Sequence, residues 1–134
     1  MASALINPPN LPPKPNFSYV QSTPISPTAS LITVAGQIGV DPQTNIAPST
    51  FAEQVHVALQ NLGICLAAAG ATPADIVKVQ HYVVNLDPKD TSRGEAWLNF
   101  IGDHRPPSTL LGVAALATPA LLYEVEAMAI IQRK

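Results

Sequence analysis

The chain closes on His104-Arg105-Pro106-Pro107-Ser108-Thr109-Leu110-Leu111-Gly112-Val113-Ala114, followed after a short turn by Leu122-Tyr123-Glu124-Val125-Glu126-Ala127-Met128-Ala129. Both stretches read as β-strands, and the second alternates acidic with apolar residues. Side chains two apart on a strand share a face, so Glu124 and Glu126 point the same way. Tyr123 and Val125 point the other way. A pair of carboxylates on an apolar strand is costly unless it meets water, a partner chain or a substrate.

Upstream, the longest helical signal runs from Thr50 to Ala69. Thr50 and Glu53 have capping-box spacing. Phe51, Val55, Ala58, Leu59, Leu62, Cys65, Leu66 and Ala69 recur at three and four and make one apolar face. Gly70 supplies the stop. Ile76 to Leu86 is rich in β-branched residues and reads as a strand, ended by Asp87-Pro88. Ser92 and Glu95 repeat the capping-box spacing and predict a second helix to about Gly102. Strands are further expected at Phe17–Gln21, Leu31–Ala35 (closed by Gly36), Ser108–Leu116 and Leu121–Ile131. The order is β-β-α-β-α-β-β. Two helices against one sheet make an α+β sandwich.

Seven of the 14 prolines fall within the first 27 residues. Residues 1–16 are therefore expected to be an extended, proline-rich leader, lying over the domain or mobile, and residues 17–134 a single domain. The 134-residue chain is 47% hydrophobic, only 12% charged, and carries a net charge of −2. With no basic run and 5% aromatics, it offers RNA or DNA little electrostatic or stacking surface. So little charge on so apolar a chain favours an oligomer that hides apolar area. One cysteine, Cys65, excludes an intrachain disulfide and a cysteine-based zinc site. Neither a signal peptide nor a run of ~20 apolar residues is evident, so a cytoplasmic protein is expected. Cys65 is expected in the core, and His56, His81 and His104 have no metal-ligand spacing. No cofactor is implied.

Several short motifs together resemble the YjgF/RidA family. They are Tyr19-Val20-Gln21, Ala35-Gly36-Gln37-Ile38, Asp41-Pro42, Ala67-Ala68-Ala69-Gly70 with Val77-Lys78-Val79, and Glu124-Val125-Glu126-Ala127. The resemblance covers nearly the whole chain beyond the leader. It implies a chorismate-mutase-like fold with a mixed sheet, a homotrimer, and small-molecule sites in the clefts between subunits. It also implies hydrolysis of imines or enamines such as 2-aminoacrylate. Family members hold the substrate carboxylate with an arginine in an Arg-Pro-Ala-Arg-Ser/Thr pattern. Here the sequence is Arg105-Pro106-Pro107-Ser108-Thr109, with Ser108 in the second arginine's place. The family's asparagine early in the second helix is also missing; Arg93 and Gly94 stand in that region.

The resemblance therefore implies Glu124 as the acid/base residue, with Tyr19, Gly36, Ser108 and Arg105 around the substrate and Arg93 as a weaker candidate cation. Without the clamp, a specialised imine, enamine or enol-type substrate is expected, reacting by proton transfer or water addition, rather than 2-aminoacrylate. The alternative is a non-catalytic trimer that binds a ligand or a protein. Ser108 has no His/Asp partner in order, which argues against nucleophilic catalysis.

Overall fold

The computed structural model describes residues 2–133. Among the described residues there are six strands and two α-helices, with a short 3-10 turn at Pro73–Asp75: β1 (Ala4–Ile6), β2 (Val20–Pro24), β3 (Ala29–Ile38), α1 (Phe51–Ala68), β4 (Ile76–Val84), α2 (Ser92–Ile101), β5 (Ser108–Val113) and β6 (Tyr123–Gln132). The sheet order is β1-β2-β3-β6-β4-β5. Only β4 and β5 run parallel, and α2 makes the crossover that a parallel pair needs. The architecture is the expected α+β one, with two helices on a mixed sheet.

The core lies between the helices and one sheet face. From α1 it takes Val55, Ala58, Leu59, Leu62, Cys65 and Leu66, and from the sheet Ile32, Val79, Tyr123, Val125, Ala127 and Ala129. The alternation along β6 thus sends Tyr123 and Val125 under the helices and Glu124 and Glu126 to the opposite face. Thr50 caps α1 as expected, its hydroxyl accepting from the Glu53 amide at 3.2 Å. Gly70 follows the helix at φ +78°, a conformation that suits glycine. Cys65 is fully buried, and burial pushes its thiol up to about 12, so it is an inert core residue.

Several details differ from the sequence reading: the strand expected at Phe17–Gln21 forms at Val20–Pro24, and the one expected to reach Leu116 ends at Val113. The leader lies on the domain and contributes β1, which pairs antiparallel with β2, so the sheet has six strands instead of five. Leu11, from the same leader, reaches the core. Alternation of apolar residues cannot reveal so short a strand, because its partner lies sixteen residues on. Next, β3 does not stop at Gly36. It continues to Ile38 through an irregularity between Val34 and Gln37. Finally, Ser92 does not cap α2. Thr91 occupies the cap position without a side-chain cap bond, and Asp90 accepts from the Ser92 amide at 2.7 Å and hydroxyl at 2.6 Å. Asp90, just ahead of the helix, competes for the groups a capping box would use.

Two polar residues interrupt the apolar face of α1, seven apart, and both are buried. The Gln54 amide donates to the Pro48 carbonyl (3.0 Å) and the Ala120 carbonyl (2.8 Å), and its oxygen accepts from the Leu122 amide (2.8 Å). Asn61 donates to the carbonyls of Ile38 and Val40, both at 3.1 Å. These bonds satisfy backbone groups of the segments entering β6 and leaving β3. Gln54→Ala should destabilise the fold by about 2–4 kcal/mol, because it removes three bonds and strands buried backbone groups. Exposed Gln60→Ala should cost under about 0.5 kcal/mol. Urea unfolding of both variants checks this, and equal midpoints would show that Gln54 is not an anchor.

Candidate functional site

The pairing of β3 with β6 sets Ile38 opposite Glu124. At the irregularity just before, Gly36 lies directly against the Glu124 side chain. A Cβ added at Gly36 would collide with the carboxylate oxygen Oε2. A residue with any side chain would force the acid to move, so glycine is required here by close approach.

Beside this contact opens a cavity of ≈ 660 Å³. Glu124, Gly36, Tyr19 and Asn61 are on its wall, with apolar surface from Leu11, Phe17 and Leu121. Glu124 is half-buried. Burial, and secondarily the charge of Glu126, holds its carboxyl above the usual carboxylate range. Among the described residues, no other acid lines this cavity.

Glu126 has a different environment. Its carboxylate accepts from the Tyr82 hydroxyl, which also lies 2.6 Å from the Gln80 side-chain oxygen. That bond, ahead of burial, raises the Tyr82 phenol to about 12. Glu126 is thus engaged on the sheet face, while Glu124 is left to the cavity.

The structure brings together three of the five residues picked out from sequence: Tyr19, Gly36 and Glu124. The Tyr19 hydroxyl is committed, because it donates to the Pro12 carbonyl at 2.5 Å and so pins the leader. Ser108 is outside the cavity. It is exposed at the start of β5, opposite Val79, on the helix-side face of the sheet. Arg105 is outside as well: its guanidinium donates to the carbonyls of Gly102 and His104 (2.9 Å for the latter), closing the end of α2. Arg93 lines a second cavity of ≈ 440 Å³, with Phe51, Leu86, Asp87 and Leu110.

Among the histidines, His56 is on the exposed side of α1 and His104 lies 2.7 Å from the Ile76 carbonyl. His81 is buried between Tyr123 (Nδ1 to hydroxyl 2.7 Å) and Trp97 (ring centroids 5.0 Å), and burial, followed by the Arg93 charge, lowers it to about 4. Among the described residues, no three His, Cys, Asp or Glu side chains cluster to hold a metal. Sequence reasoning missed Gln54 and Asn61, although two amides on an otherwise apolar helical stripe were a visible signal.

The endoribonuclease L-PSP family model matches residues 10–131. The chain belongs to this family, also known as YjgF/RidA. A RutC family protein of Pyrococcus abyssi is 32% identical over 118 residues, covering 87% of this chain and 89% of that protein. The 2-iminobutanoate/2-iminopropanoate deaminase of Rattus norvegicus is 33% identical over 100 residues, 74% of this chain and 72% of the enzyme. The crystal structure of Escherichia coli TdcF with bound serine superposes with a TM-score of 0.80 at 25% identity, covering 96% of this chain and 98% of that one. No helix among the described residues is long and apolar enough to cross a membrane.

A raised carboxyl has a definite stability signature. The folded state favours the protonated acid, so the stabilising contribution is fully present below the ordinary carboxylate range and is lost as pH rises from there through the raised value. Glu124→Gln keeps the shape and removes the charge. It should melt at or above the parent temperature at pH 8, with the difference closing near pH 4. Thermal melts at the two pH values check this; a variant less stable than the parent only at pH 8 would mean the carboxylate is favourably held.

Proposed function

We propose that this protein hydrolyses imines or enamines of small metabolites to the carbonyl compound and ammonia. The observation that carries the reading is Glu124: one half-buried acid with a raised pKa, set against the backbone of Gly36 in a largely apolar cavity. The deaminase names of the relatives support the reaction class. The ionised carboxylate takes a proton from water as the water oxygen attacks the C=N carbon. The acid then returns that proton to nitrogen, leaving a carbinolamine; the carboxylate next takes the hydroxyl proton and passes it to the amino nitrogen, so that C=O forms as the C–N bond breaks and ammonia leaves. An enamine first takes a proton at carbon and becomes the imine. An acid whose pKa is raised towards neutrality suits both directions of this transfer.

The assembly is proposed to be a homotrimer. In one copy Ser108 and the Arg93 cavity are on a different part of the sheet from Glu124. A neighbouring copy is the means by which they would reach the acid and complete an intersubunit cleft. The cavity volume is within the ~300–1,000 Å³ range that takes ligands well above the size of 2-aminoacrylate. With serine in the arginine position and an apolar wall, we propose a larger, specialised imine as substrate. Net charge −2 and few aromatics do not support RNA cleavage.

Light scattering at micromolar concentration should give roughly three times the 14.1 kDa chain mass. A stable monomer would remove the intersubunit cleft. An imine with a larger apolar body, released from a primary amine by an amine oxidase, should be hydrolysed faster than 2-aminoacrylate. Glu124→Gln should lower that turnover by at least about 100-fold, while Glu126→Gln should cost far less. If the parent binds carbonyl products but accelerates no imine hydrolysis, the non-catalytic ligand-binding reading replaces this one.

A further inference from the structure

The cavity that holds Glu124 also has one cationic side chain on its wall, and it comes from the leader. Lys14 lines the cavity together with Leu11, Pro12 and Phe17. Among the described residues it is the only lysine, arginine or histidine to do so. Among the other cations, Lys78 donates to Thr109 at 2.8 Å, Arg105 closes α2, and Arg93 lines the second cavity. Lys14 makes no hydrogen bond or ion pair with any described residue, and it does not pair with Glu124.

Lys14 is not on a loose tail. Pro13 and Pro15 flank it and restrict its backbone. Two residues before it, the Pro12 carbonyl accepts from Tyr19; one further back, Leu11 is buried. The Lys14 backbone is therefore held at the cavity wall, while its side chain is exposed. The two opposite charges share one space without contacting each other, and apolar surface from Phe17 and Leu121 lines the same space.

We propose that Lys14 is the anion-holding group of this site, and that the substrate carries a carboxylate set apart from its reacting carbon by an apolar body. Deepening the hydrolase reading on which it rests, this assigns the task of the missing arginine to a residue of the leader. A lysine ammonium is a point charge without the planar fork of a guanidinium. It fixes the charge of the ligand and leaves its orientation to the apolar wall, which suits a longer substrate.

The test reads binding, so it does not depend on turnover. Calorimetric titration would compare 4-phenylbutanoate with the uncharged 4-phenylbutanamide on the parent, Lys14→Met and Lys14→Arg. The parent should prefer the carboxylate by about tenfold or more, Lys14→Met should lose that preference while keeping its affinity for the amide, and Lys14→Arg should retain it. The preference should also weaken with added salt. A parent that shows no carboxylate preference, or a Lys14→Met variant that keeps it, overturns the proposal. A carboxylate preference lost in Lys14→Met, in a protein that hydrolyses no imine, upholds the role of Lys14 and rejects the hydrolase reading alone.

Discussion

Three hydrogen bonds from one buried amide decide where the last strand begins. Gln54 ties α1 to Pro48 on one side and to Ala120 and Leu122 on the other. Tyr123 is the first residue of β6, directly after that anchor. Since side chains alternate along a strand, fixing its start fixes which residues face the helices and which face away. A slip by one residue would put Glu124 in the core and Tyr123 in the cavity. Asn61, two helical turns along, performs the matching service for the end of β3. The acid and the glycine it leans on belong to different strands, so each needs its own anchor, and both anchors stand on one rigid helix.

The two carboxylates of β6 show how neighbours divide labour between chemically identical groups. Glu126 has a phenol donating to it on the sheet face. Glu124 has apolar wall and the charge of Glu126 instead, and both resist its ionisation. Separation of roles by environment is what acid/base chemistry at neutral pH requires. Sequence spacing places the two residues on one face; it cannot say which has the phenol.

Much of the fold was legible because its signals are local. The apolar stripe of α1, its Thr50 cap and the Gly70 stop involve residues within a few positions of one another, and all three are present. The facing of β6 was equally legible from its alternation. What stayed hidden depends on partners far along the chain. β1 exists because β2 offers it an edge, and β3 runs past Gly36 because β6 offers pairing beyond the irregularity. The site divides the same way. Glu124 and Gly36 could be picked out, whereas the engagement of Tyr19 with Pro12 and of Arg105 with the end of α2 follows from tertiary packing. Lys14, in a stretch read only as an extended leader, gave no sign of sharing a cavity with an acid more than a hundred positions later.

The wall and the floor of that cavity are held by very different means. Glu124 sits in the middle of the sheet, paired with Ile38 of β3 and Tyr82 of β4, and Gly36 lies at the irregularity beside it. The leader is held by a three-residue strand at the sheet edge, by the Asn7 side chain accepting from the Tyr19 amide, by Leu11 and by the Tyr19 hydroxyl. Regions of a protein open with free energies set by their own contacts, and edge segments with few of them open first. One side of the chamber therefore rests on fewer contacts than the other, and the side with fewer is the one that bears Lys14.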